Sequence, residues 1–101
     1  VSQPSRRGET LTIVLYVAGD SPNSAAARAN LKSFLARYPE RRVALKVVDV
    51  LEDPERALRD RVLVTPTLIK AMPAPECRVV GNLSNRSALL SALGFEALVD
   101  E

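Results

Sequence analysis

The segment LTIVLYVAGDSPNS, residues 11–24, constrains the fold of this chain more than any other. Its first eight residues are apolar or β-branched almost without a break, the pattern of a strand covered on both faces. Such a strand needs one layer packed above it and another below, which the rest of the chain has to supply. The supply begins at once. Gly19 and Asp20 make a turn, Ser21 is a good helix N-cap, and Pro22 falls at the first helical position, where its missing N–H is not needed. The expected helix carries Ala27, Leu31, Phe34, Leu35 and Tyr38 at helical spacing, with Arg28, Lys32 and Arg37 off that stripe. It stops near Tyr38, because Pro39 disfavours helical geometry in the residue before it.

The second strand is VALKVVDV, residues 43–50. Ala44, Lys46, Val48 and Val50 alternate there with Val43, Leu45, Val47 and Asp49, so each face carries one charge, which suits an edge strand. Asp53-Pro54 repeats the cap-plus-proline signal and opens a short helix, DPERALRD. TLIKAM and CRVVG are the third and fourth strands, split by the proline-broken turn MPAPE. Ser84 then caps a last helix whose apolar positions are Leu89, Leu90, Leu93 and Ala97. The order is βαβαββα. A right-handed parallel crossover, a hairpin and a closing helix give an α/β fold of the thioredoxin-like kind, a four-stranded mixed sheet with helices on both faces. Gly19, Ser21, Pro22 and Pro66 are its structural positions, and in this frame the bond before Pro66 in VTPT reads as cis.

A chain of 101 residues makes one domain, expected over residues 11–99 behind a polar, disordered tail at 1–10. There is no internal repeat or linker. No apolar run approaches the roughly 18–20 residues of a membrane span.

Redox members of this fold class place Cys-x-x-Cys at the turn after the first strand, where this chain has Asp20, Ser21, Pro22 and Asn23. Cys77 is the only cysteine, which excludes an internal disulfide and fits a reducing compartment, hence the cytoplasm. Histidine is absent, and with it the usual general base and the commonest metal ligand. The net charge of +2 is dispersed: Arg6/Arg7 and Arg41/Arg42 are isolated pairs, and only Tyr16, Phe34, Tyr38 and Phe95 are available to stack on bases. That is a solvated surface, not a nucleic-acid stripe.

Three chemistries remain to be weighed. A glutathione-type site would use Ser21 at a helix N-terminus, the backbone beside Pro66, and NLSN (82–85) for a carboxylate, but Ser21 explains itself as a cap. Cys77 has Arg78 beside it but no base, and a half-buried strand residue is its simpler role. Asp20, Asp49, Glu52 and Asp53 all lie near strand ends, yet capping accounts for most of them and a cation site there would be loose. No catalytic residue, metal or cofactor is expected. A small glutathione- or thiol-binding enzyme is the alternative reading.

LYVAGDSPNS, ALKVVDVLEDPE, VTPTLIK and RVVGNLS, in that order and without gaps, resemble the signatures of the KaiB family of circadian clock proteins, over about Leu11 to Leu93. The resemblance implies a protein that binds other proteins and performs no redox chemistry. Its partners would be a KaiC-like ATPase hexamer and, where present, KaiA or a SasA-type kinase pathway, with no nucleic acid or membrane. Matched to the family, Pro54, Glu55, Leu58 and Arg61 form the KaiC-contacting surface, while Ala44 and Lys46 lie on the edge strand used toward KaiA. A short amphipathic helix and an exposed strand edge suit such contacts. The family also implies a second, tetrameric fold with a rearranged C-terminal half. This chain departs from the family pattern at Ala74, where a proline is usual, at Ala92, where glycine is usual, and at Gly94, where aspartate is usual. Ala92 and Gly94 lie in the segment that switches. Alanine favours the final helix there by about 0.8–1 kcal/mol over glycine, and SALLSALG is a poor strand sequence. The expected ground state is therefore the thioredoxin-like monomer, with the tetramer as the alternative.

Overall fold

In a computed structural model of the protein, which describes residues 9–95, the apolar run forms the interior strand β1 (Thr10–Val17). The chain then adds α1 (Pro22–Leu35), β2 (Arg42–Asp49), α2 (Pro54–Arg59), β3 (Thr67–Met72), β4 (Cys77–Val80) and α3 (Arg86–Leu93), the expected βαβαββα order. The sheet order is β2-β1-β3-β4, with β2 parallel to β1 and both β3 pairings antiparallel. β2 is an edge, as its evenly charged faces required.

Strand alternation sorts the core into two layers. Leu11, Ile13, Leu15 and Val17 point to one face, where Ala27, Leu31 and Phe34 of α1 and Leu89 and Leu93 of α3 cover them. Tyr16, with Val14 beside it, points to the other face and packs with Val48, Ile69 and Ala57 of α2. Five of the eight β1 residues are essentially inaccessible, so truncating Ile13 or Leu15 to alanine would cost roughly 2–5 kcal/mol. The four aromatic residues are spent on this packing. Phe34, Tyr38 and Phe95 form a cluster with ring centroids 4.8–5.8 Å apart, and the Arg41 guanidinium sits 4.7 Å over the Phe95 ring.

The punctuation residues do what their types dictate. Ser21 Oγ accepts from Ser24 N, and Asp53 Oδ1 from Arg56 N, with Pro22 and Pro54 just inside each helix. Gly19 has φ +54°, a left-handed conformation that glycine adopts freely, and Leu51 lies 3.4 Å from where a Cβ would stand. The bond before Pro66 is cis, as are those before Pro73 and Pro75.

Four boundaries differ from expectation. Thr10 belongs to β1 and not to the expected tail; residues 1–8, including Arg6 and Arg7, and residues 96–101, including Ala97, lie outside the described residues. The second strand begins one residue sooner, at Arg42. The first helix ends at Leu35, after which Arg37 N→Phe34 O and Tyr38 N→Leu35 O continue as tight turns toward Pro39. The last helix is capped by Asn85, whose Oδ1 accepts from Ala88 N, and not by Ser84; Ser84 N is already bound to Asn82 Oδ1. Among the described residues no helix is long and apolar enough to cross a membrane.

Candidate protein-docking surface

Several of the groups a redox enzyme of this fold would use are engaged within the chain itself. Ser21 is occupied as a cap. The Pro66 carbonyl accepts from Gly81 N at 2.9 Å. In the NLSN segment Asn82 and Asn85 turn their side chains onto backbone N–H groups at the start of α3, and Asn30 Nδ2 donates to Asn82 O at 2.8 Å. Cys77 is half-buried at the start of β4, its Sγ 3.7 Å from the Pro75 carbonyl. The strand-end carboxylates do not converge. Asp49 Oδ1 accepts from Gly19 N and Leu51 N, fastening the turns after β1 and β2 together, while Asp53 caps α2. No three acidic, cysteine or histidine groups gather among the described residues.

Around α2 the frame leaves several apolar residues exposed. Pro54, Glu55 and Leu58 face solvent on α2, with Leu58 at 76% exposure, and Arg61 is exposed just beyond the helix. Leu51 before α2 and Leu63 and Val64 after it add to the same region, Leu63 being 92% exposed. Between α2 and this segment lies a shallow cleft of about 170 Å³, lined by Val50, Ala57, Val62, Leu63, Val64 and Thr65. Its lining holds no titratable group. Ala44 and Lys46, also exposed, stand on β2 in register with Thr12 and Val14, on the sheet face that carries α2. The sequence-expected residues thus share one side of the sheet, with the β2 edge free beside them. Ala92 and Gly94 lie elsewhere, at the end of α3.

Sequence reasoning missed Leu51, Leu63 and Val64. The signal was present: RVLVT is too apolar for a solvated connection. It also missed how α2 is fastened. The Tyr16 hydroxyl, buried beneath the helix, donates to the Asp60 carboxylate, and burial first, then Asp60, pushes its pKa up, with Arg56 acting against this. From β4, the Arg78 guanidinium donates to Asp60 O at 2.5 Å and to Arg61 O at 3.1 Å, and pairs with Glu76 at 3.2 Å.

Sheet order and helix placement define a thioredoxin-like domain, with Asp20, Ser21, Pro22 and Asn23 at the turn where redox members carry thiols. Solved structures agree on the fold. The N-terminal domain of SasA from Synechococcus elongatus superposes with a TM-score of 0.71 at 24% identity, covering 100% of this chain and 90% of that one. Mitochondrial thioredoxin 3 from Saccharomyces cerevisiae gives 0.66 at 20% identity, covering 82% and 76%. Within that class the chain belongs to the KaiB family, whose domain model matches residues 14–95. It is 43% identical over 93 residues to the circadian clock oscillator protein KaiB of Gloeothece citriformis, covering 92% of this chain and 86% of that protein. The KaiB of Thermosynechococcus vestitus is also 43% identical, with 92% and 84% covered. The KaiB of Prochlorococcus marinus subsp. pastoris is 44% identical, with 92% and 85% covered.

Proposed function

We propose that the protein is a non-enzymatic clock-type regulator that binds a KaiC-like ATPase ring through α2 and the segments flanking it, and so modulates the ring's phosphorylation state or output. The observation that carries this reading is the contrast on one frame: several groups at the redox positions are engaged within the chain, while Leu51, Leu58, Leu63 and Val64 are solvent-exposed around α2. Soluble domains rarely expose apolar residues so close together without a partner for them. Leu58 is the anchor, with Pro54, Glu55 and Arg61 around it as a polar rim. The free edge of β2, with Ala44 and Lys46, offers unpaired backbone groups for strand addition by a second partner of the KaiA or SasA kind. The protein acts in the cytoplasm as a thioredoxin-like monomer, which fits a lone cysteine and an α3 that is well capped. A pull-down with the KaiC hexamer of Thermosynechococcus vestitus, with and without nucleotide, tests the reading. Retention of the protein on the hexamer supports it; no retention in any nucleotide state overturns it.

A further inference from the structure

Helix α2 is only six residues long, and just past its cap Arg61 stands at φ +58°, a left-handed conformation that is strained for a residue with a side chain. A helix of that length is marginal by itself and depends on tertiary contacts. Backbone bonds from Asp60 N to Arg56 O, Arg61 N to Leu58 O and Val62 N to Ala57 O close its end, and the next two carbonyls, those of Asp60 and Arg61, receive the guanidinium of Arg78. Arg78 is itself oriented by Glu76, two residues back on the same strand side. A cation at a helix C-terminus also meets the negative end of the helix dipole.

We propose that Arg78 is a positioning residue for the docking surface: by holding the Asp60 and Arg61 carbonyls from β4, it fixes the left-handed turn that ends α2 and thereby the presentation of Leu58 and Arg61. This rests on the reading of α2 as the docking helix. The pairing crosses from the last quarter of the chain to α2, so the geometry of α2 depends on β4 being in its place beside β3. Lysine, with a single ammonium in place of the planar fork, reaches one carbonyl at a time and holds the turn less well.

The test compares the parent with Arg78→Lys, Arg78→Ala, Leu58→Ala and the Arg78→Ala/Leu58→Ala double variant. Two readouts are taken: amide hydrogen exchange of the free protein, and binding to the Thermosynechococcus vestitus KaiC hexamer. In Arg78→Ala the amides of Asp60, Arg61 and Val62, which close the end of α2, should exchange about tenfold faster while those of β1 do not change, the tenfold being what one charge-assisted hydrogen bond supplies. Binding should weaken by about tenfold on the same basis, Arg78→Lys should lie between, and the loss should shrink when Leu58 is already alanine. Unchanged exchange at the end of α2, or binding losses that simply add, would overturn the proposal and make Arg78 a direct contact or a bystander. If the parent itself fails to bind, the docking reading falls and the docking role of Arg78 with it, whereas the exchange readout still decides whether Arg78 holds α2.

Discussion

Replacing Gly94 offers a stringent check on the account of α3. The residue has φ 75° and ψ 26°, and its N–H bonds to Ser91 O at 3.3 Å while Phe95 N bonds to Leu90 O at 2.9 Å. Those two bonds complete a Schellman cap, which glycine closes without strain. The glycine stands past the last helical turn and not within it, so its low helix propensity does not count against α3. Alanine in this conformation costs about 1–2 kcal/mol. Aspartate, which tolerates the left-handed region better, should cost less. The strain falls on a segment that matters, since Leu89, Leu93 and Phe95 are all buried. Gly94→Ala should therefore lower the urea midpoint with an unchanged slope, and lower Tm by roughly 4–8 °C per kcal/mol for a domain of this size. Adding Ala92→Gly removes about a further 0.8–1 kcal/mol of helix propensity. The double variant should be the one in which the second family fold, and a tetramer with it, first becomes measurable by sedimentation. A Gly94→Ala protein as stable as the parent would refute the reasoning.

Three other outcomes are expected. Leu58→Ala should weaken binding to a KaiC-like hexamer by about 1–2 kcal/mol, and Arg61→Glu should weaken it if the facing surface is acidic; folded variants that both bind like the parent in a titration would remove α2 from the interface. The protein should show no disulfide reductase or glutathione transferase turnover above background, and Ser21→Ala should cost only its cap, about 1 kcal/mol in denaturant unfolding; turnover that vanished in Ser21→Ala or Cys77→Ser would restore the enzyme reading. Because the Tyr16 pKa is raised in the folded state, chiefly by burial, the folded protein holds that proton longer than the unfolded chain. The stability it contributes is full below about pH 10 and is lost as pH rises through the folded value, so unfolding free energies measured on either side of pH 10 should fall in the parent and much less in Tyr16→Phe.

The architecture was legible because its signals are local and redundant. A two-faced apolar strand, two cap-plus-proline helix starts and a strand with one charge on each face leave few arrangements. The misplaced boundaries were those where neighbouring residues competed for one job, as Ser84 and Asn85 did for the α3 cap. The candidate site was legible only in part. Leu58, which the family resemblance names, is exposed on α2, whereas the apolar run at Leu63 and Val64 gives no sign by itself of whether it is buried or exposed. Arg78 and Tyr16 were invisible as supports. Their partners lie 18 and 44 residues away in sequence, and no local pattern announces a guanidinium or a hydroxyl that ends on a distant helix terminus.

Hydrogen-exchange footprinting of the protein on the KaiC hexamer tests the central claim most directly. The account predicts protection concentrated in residues 50–64, with further protection at the β2 edge around Ala44 and Lys46 only when a second partner is added. Protection confined to the turn at Ser21, the Pro66 backbone and the NLSN segment would mean that the frame works through the positions a redox member of the fold would use, and would contradict it.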